Sequence, residues 1–353
     1  MARPATADLR ICAVRPLLAP AELARELPLD DAGAAFVARS RQAVEEIILG
    51  HDDRLLAVVG PCSIHDPAAA RDYAERLQGV AEGLAPDLLL VMRVYFEKPR
   101  TVIGWKGLIN DPDLDGSCQI NKGLRLARRL MVDLAARRLP VATEFLDTTL
   151  GQYYAELVTW GGIGARTVES QVHRELASGL SMPVGFKNRT DGEVQVAVDA
   201  ICSARHPHWF PSLTKDGAPA VLGTSGNDRG HLVLRGGTRG PNYAAEQVRA
   251  AAELLRAAGL PPFLAIDCSH ANSGKDAGRQ PAVAAAVAAQ IAAGERAICG
   301  VMLESNLVGG AQDFRSRPLV FGQSITDACL SFEQTVPVLA ALAQAVQTRR
   351  TTT

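Results

Sequence analysis

From Leu55 almost to the C-terminus, short apolar runs alternate with amphipathic helical stretches, and this alternation constrains the fold more than any other feature of the chain. The runs that read as strands are Leu55–Val59, Leu88–Val94, Val141–Phe145, Ile163–Val168, Val184–Phe186, His231–Leu234, Phe263–Asp267 and Ile298–Leu303. Several are apolar throughout, the pattern of strands covered on both faces. Helical periodicity fills the gaps over Pro67–Leu84, Leu124–Arg138, Leu150–Trp160, Glu193–Ala204, Ala244–Ala258 and Gln280–Ala293, with a last stretch over Ser331–Val346. The helix after the fourth strand, in "HRELASGL", is short. Eight strand–helix units within 353 residues predict one (β/α)8 TIM barrel of the α/β class, spanning 54–353. Residues 1–53 precede the barrel as an arm with a helix near Ala35–Leu49. Residues 208–230 read as a β-hairpin inserted before the sixth strand, with "KDG" at its turn.

Composition narrows the function classes. A formal net charge of −1 gives no support for a nucleic-acid partner. No apolar run reaches membrane-spanning length, and the N-terminus lacks the apolar core of a signal peptide. Seven scattered cysteines form no disulfide framework, so a cytoplasmic protein with reduced thiols is expected.

In a barrel of this kind, whatever follows each strand collects on one rim, where active sites are built. Cys62 follows the first strand. Arg93, Lys98, Arg100 and Thr101 follow or end the second, and Glu144 ends the third. Arg166 is expected on the fourth, Lys187 after the fifth, Arg235 after the sixth and His270 after the seventh. Glu304 ends the eighth, and Asp327 lies in the loop beyond. Cys62, His270, Glu304 and Asp327 together offer thiolate, imidazole and two carboxylates, a donor set suited to Mn²⁺, Fe²⁺, Co²⁺ or Zn²⁺. The six cations Arg93, Lys98, Arg100, Arg166, Lys187 and Arg235 would repel one another unless anions fill the rim. Their chemistry points to small, multiply anionic substrates.

Other polar residues have plainer readings. His65 resembles the partner of a C-x-x-H pair but sits just before a helix that Asp66 can cap, which favours a loop role over ligation. Cys268 and Cys299 read as core, whereas Cys12, Cys118, Cys202 and Cys329 carry no partner signal. His51, His206 and His208 are expected in solvent. Arg125, Arg128, Arg129, Arg137 and Arg138 read as one exposed helical face.

The blocks "GPCSIHD", "YFEKPRTVIGWKGLINDPDLDGS", "TEFLD", "GARTVESQVHRELASGLSMPVGFKN", "LRGG", "SHANSGK" and "GQSITDACL" resemble the 3-deoxy-7-phosphoheptulonate (DAHP) synthases of the short, metal-dependent type I family with an N-terminal regulatory arm. The resemblance runs over nearly the whole chain. It implies a transferase that condenses phosphoenolpyruvate with erythrose 4-phosphate and releases phosphate, the first step of the shikimate pathway to chorismate and the aromatic amino acids. By the same resemblance, Cys62, His270, Glu304 and Asp327 would bind one divalent metal ion. Arg93, Lys98, Arg166, Lys187 and Arg235 would hold phosphoenolpyruvate, and Lys98, Pro99, Arg100 and Thr101 would extend to erythrose 4-phosphate. Lys98 would donate a proton to the growing alkoxide or fix the attacking water, and Glu144 is the candidate for orienting water. Thr148, Gln152, Gly179, Ser181, Phe210 and Ser212 fall at effector positions for an aromatic amino acid, tryptophan ahead of phenylalanine, and a homodimer or homotetramer is implied. Cys268 and "KDAGRQ" (275–280) depart from the family pattern without touching a ligand position. A metal-dependent barrel aldolase that releases no phosphate, and a catalytically silent barrel, are the alternatives.

Overall fold

The computed structural model describes residues 6–352, so the first five residues of the expected arm and the last residue of the chain lie outside it. Eight parallel strands form the barrel: β1 (Leu55–Gly60), β2 (Leu88–Arg93), β3 (Val141–Glu144), β4 (Trp160–Ile163), β5 (Val184–Lys187), β8 (Gly230–Leu234), β9 (Leu264–Asp267) and β10 (Ile298–Asn306). They neighbour one another in that order, and β1 closes on β10 with Leu56 opposite Gly300 and Gly60 opposite Glu304. The expected hairpin is β6 (Trp209–Leu213) paired antiparallel with β7 (Pro219–Gly223), outside the barrel, and Gly217 takes φ +80° in its turn.

The helices sit where the periodicity puts them, with small changes at their ends. α3 (Pro67–Leu84) begins under an Asp66 cap that accepts from the Ala68 and Ala69 amides at 2.8 and 3.3 Å. α4 covers Ile120–Ala136, α5 Gln171–Ser178, α6 Gln195–Ala204, α7 Ala245–Ala257, α8 Gln280–Ala292 and α9 Phe332–Thr352. Two elements depart from expectation. The fourth strand is Trp160–Ile163, earlier than the expected 163–168, so Arg166 stands on the loop beyond it. The region 150–160 holds two short 3₁₀ turns, Leu150–Tyr153 and Ala155–Leu157, rather than a helix. "TWGGIGA" has little side chain to bury, and the run is a strand only where Trp160 fills the barrel.

Side chains alternate along each strand, as the pleat requires. Leu55, Ala57, Val59, Leu90, Met92 and Ile266 point outward into the helical layer. Leu56, Val58, Val91, Ala142, Trp160, Val233 and Met302 point inward. Val44, Ile47 and Ile48 join that inner cluster from α2 (Asp31–Ile48), which plugs the N-terminal end of the barrel. One more inward step reaches the C-terminal rim, where β2, β3, β5, β8, β9 and β10 present polar residues and β1 and β4 present Gly60 and Gly162.

The arginine-rich face of α4 is not uniformly exposed. Arg128 is buried, donating to the carbonyls of Leu27 and Tyr153 at 2.9 and 2.8 Å and pairing with Glu156 at 2.6 Å. Periodicity could not separate it from its exposed neighbour Arg129, because the arm that covers it is remote in sequence. His208 likewise leaves solvent in part, its Nε2 lying 2.9 Å from the Ser203 carbonyl. His51 remains mostly exposed beside Glu46.

Candidate active site

Period-two alternation delivers Arg93, Glu144, Lys187, Asp267 and Glu304 to the inner face at the strand ends. Cys62, Lys98, Arg166, Arg235, His270 and Asp327 arrive on the segments just beyond. Lys98, Pro99, Arg100, Thr101, Glu144, Arg166, Lys187, Arg235, His270 and Asp327 all line one cavity of about 1380 Å³. Arg93 is fully buried and does not line this cavity; it pairs with Glu304 behind it.

One side of this cavity is a metal-type cluster. Donor atoms of Cys62, Glu304 and Asp327 lie within 4.8 Å of one another, with Cys62 Sγ 3.7 Å from Asp327 Oδ2. His270 Nε2 is 3.9 Å from Glu304 Oε1. Its other ring nitrogen, Nδ1, faces Asp267 Oδ2 and Ser269 Oγ, each at 2.8 Å. A carboxylate on one imidazole nitrogen fixes the ring and leaves the other as a donor, the arrangement metal-bound histidines use. The donor set therefore fits a divalent cation. Burial pushes the Cys62 thiol up to about 11, Glu304 adds to this and Lys98 opposes it. A cation that displaces the thiol proton would relieve the mismatch.

The second half is cationic. Lys98 Nζ lies 3.0 Å from Cys62 Sγ and 3.4 Å from the Cys62 carbonyl, so it abuts the metal-type cluster. Arg93 pairs with Glu304 at 3.1 Å, contacts Met302 Sδ at 2.8 Å and stacks over the Tyr95 ring at 4.0 Å. Lys187 pairs with Asp267 at 2.9 Å. Burial alone would raise the Asp267 carboxyl, but His270 and Lys187 outweigh it and hold the pKa well below the usual carboxylate range. Arg166 donates to the Pro99 carbonyl and so ties its loop to the "KPRT" segment.

Sequence reasoning missed three groups. Asp267 orients both His270 and Lys187, and its signal was a lone acid at the inward end of an apolar run. Cys329 lies beside the cluster, its sulfur accepting from the Cys62 amide at 3.4 Å. The third is a buried relay of amides. Asn188 Oδ1 accepts from the Arg235 amide at 2.8 Å and from Asn242 Nδ2 at 3.1 Å, and Asn242 N donates to Asn272 Oδ1 at 2.9 Å. This relay pins the loops after β5, β8 and β9 to one another. His65 is outside the donor cluster and half-buried, and burial, only partly opposed by Asp66, lowers its pKa.

The expected effector residues lie on three segments: the stretch after β3, the end of α5 and strand β6 of the hairpin. Gln152 is bound through its carbonyl by Lys215 of the hairpin at 2.6 Å, and the Lys215 carbonyl accepts from Ala21 of the arm at 2.7 Å. Thr148 stands just before the first 3₁₀ turn. Gly179 and Ser181 follow α5, which packs against β6 carrying Phe210 and Ser212.

Known proteins share this sequence and architecture. The chain is 56% identical over 344 residues to the Phe-sensitive phospho-2-dehydro-3-deoxyheptonate aldolase of Escherichia coli, covering 97% of this chain and 98% of that one. It is 54% identical to the Trp-sensitive form from Enterobacter agglomerans, covering 98% and 99%. The structure of a phospho-2-dehydro-3-deoxyheptonate aldolase from Francisella tularensis superposes with a TM-score of 0.95 at 55% identity, covering 97% of this chain and all of that one. The sequence pattern of the DAHP synthetase I family matches residues 34–340, and the chain belongs to that family.

Proposed function

We infer that this protein catalyses the condensation of phosphoenolpyruvate with D-erythrose 4-phosphate and water, giving 3-deoxy-D-arabino-heptulosonate 7-phosphate and phosphate. It is a transferase of the first shikimate step. The observation that carries this reading is a rim where the clustered donors of Cys62, Glu304 and Asp327, with His270 3.9 Å from Glu304, stand 3.0 Å, through Cys62 and Lys98, from a group of cations.

Cys62, His270, Glu304 and Asp327 would hold one divalent metal ion, Mn²⁺, Fe²⁺, Co²⁺ or Zn²⁺. When bound it supplies a Lewis acid that polarises the aldehyde of erythrose 4-phosphate. Arg93, Arg166, Lys187 and Arg235 hold the carboxylate and phosphate of phosphoenolpyruvate, and Pro99, Arg100 and Thr101 contact the erythrose phosphate. C3 of phosphoenolpyruvate forms its bond to the aldehyde carbon, and Lys98 gives a proton to the aldehyde oxygen. Water adds at C2 and passes a proton to Glu144. The resulting hemiketal phosphate loses phosphate by C–O cleavage, leaving the water oxygen as the ketone. Most of the acceleration on this scheme is positioning and electrostatics, since the cations are set before substrate arrives.

Residues 1–53 act in this reading as a regulatory and oligomerisation arm on the catalytic barrel 54–353. Exposed Leu9, Ile11 and Val14 on the arm, with Trp209 and Val221 on the hairpin, support association with further copies as a homodimer or homotetramer. An aromatic amino acid, tryptophan ahead of phenylalanine, would bind beside Thr148, Gln152, Gly179, Ser181, Phe210 and Ser212. No described helix is long and apolar enough to cross a membrane, in keeping with a cytoplasmic enzyme.

The test is phosphate release from phosphoenolpyruvate by chelated and Mn²⁺-reloaded protein, with and without erythrose 4-phosphate, followed by addition of each aromatic amino acid. Release that needs both metal and aldehyde is expected. Absence of release in every combination would overturn the reading in favour of an aldolase or a silent barrel.

A further inference from the structure

Tyr95 follows Arg93 by one inward step and is 1% exposed, yet its hydroxyl has no hydrogen-bond partner among the described residues. A buried phenol left unpaired forfeits its hydration, so such a group normally has a partner, protein or water. Its surroundings are the active site's own. The Arg93 guanidinium stacks 4.0 Å above the ring, and the charges of Lys187, Glu144 and Asp267 act on the phenol. The Tyr95 carbonyl accepts from the Ile64 amide at 2.9 Å, which fastens it to the loop carrying Cys62.

Two glycines of one segment adjoin the Tyr95 hydroxyl and the Glu144 carboxylate respectively. A Cβ at Gly162 would stand 3.4 Å from Tyr95 Oη, and a Cβ at Gly164 would stand 2.3 Å from Glu144 Oε1. The Tyr95 hydroxyl and the Glu144 carboxylate thus lie against one segment at positions two residues apart, at the C-terminal end of β4.

We propose that Tyr95 is a positioning residue for the condensation: its ring holds the Arg93 guanidinium flat, and its hydroxyl donates to the water that Glu144 orients for addition at C2 of phosphoenolpyruvate. The inference rests on the function read above and adds the group that completes the water's site. Burial raises the phenol pKa, so Tyr95 remains a donor across the working range.

The two roles separate by substitution. In the Mn²⁺-loaded enzyme, Tyr95→Phe keeps the stacked ring and loses the hydroxyl, and kcat should fall by about 100-fold with KM for phosphoenolpyruvate within about twofold of wild type. Tyr95→Leu should lose the same kcat and also raise that KM by at least about fivefold, as Arg93 loses its platform. In crystals of the wild-type enzyme with phosphoenolpyruvate, a water should lie within hydrogen-bonding distance of Tyr95 Oη. Unchanged kcat in Tyr95→Phe, a loss confined to KM, or a complex with no such water would each overturn the inference while wild-type turnover stands. A wild-type enzyme that releases no phosphate would sink the reading of the function, and this inference with it.

Discussion

Lys98 Nζ stands 3.0 Å from Cys62 Sγ, so the proposed proton donor and a proposed metal ligand touch before any substrate enters. The contact sets one residue on each side of the cavity's chemical divide. Replacing each should therefore fail differently. Cys62→Ala should lose both bound metal and activity, whereas Lys98→Ala should keep wild-type metal stoichiometry while kcat falls by on the order of 10³-fold. His65→Ala should retain metal. Elemental analysis beside steady-state rates separates the three, and full metal occupancy in Cys62→Ala would refute the ligand assignment.

The loop that delivers Lys98 depends on one glycine. Gly107 takes φ +122°, and a Cβ there would lie 2.0 Å from the Phe96 carbonyl oxygen, which is backbone and cannot swing away. The Lys98 amide meanwhile donates to the Lys106 carbonyl at 2.8 Å. Gly107→Ala should therefore displace "KPRT", raising KM for erythrose 4-phosphate and lowering kcat together, with metal content unchanged. Wild-type kinetics in this variant would show that the loop's course is not set here.

Inside the barrel, His231 Nε2 accepts from Trp160 Nε1 at 3.1 Å, and burial lowers the imidazole pKa to about 4. The unfolded chain takes up this proton near pH 6.5, the folded chain only near 4. The unfolded state thus binds more protons between those values, and stability falls as pH drops through that window. The full effect is about 3 kcal/mol, gained above pH 6.5 and absent below 4. Urea titrations of metal-free protein at pH 7 and pH 4.5 should show a smaller loss in His231→Gln than in wild type. Equal losses would mean that His231 does not titrate as its burial requires.

Arg128 and Arg129 adjoin on α4 but should behave as opposites. Arg128→Ala removes a buried guanidinium, strands the Leu27 and Tyr153 carbonyls, and should cost about 3 kcal/mol. Arg129→Ala, on the exposed side, should stay within about 0.5 kcal/mol of wild type. Chemical denaturation of the two variants decides this, and a matched pair of midpoints would restore the single exposed face.

Much of this site is legible without coordinates because a parallel barrel converts chain order into position. An apolar run of four to six residues must leave its last inward side chain at the C-terminal rim, whatever lies between the runs. Glu144, Lys187, Arg235 and Glu304 could be placed by that rule, and Cys62 and His270 by the loops directly after it. The same rule applied with period two would have found Asp267. Strand four resisted, since "WGGIG" carries too little side chain to mark its pleat.

The sequence by itself determined the strand–helix alternation, the closing of eight strands into one barrel and the gathering of acids, thiol and cations on one rim. These are set by local periodicity and by where polar residues interrupt it. Only the tertiary structure decided which groups touch. Burial of Arg128 under the arm, Cys329 against the Cys62 amide, Asp267 between His270 and Lys187, and the unpaired Tyr95 hydroxyl all depend on side chains meeting across the barrel or across its layers. Such contacts are fixed by packing among residues far apart in the chain, and no local pattern encodes them.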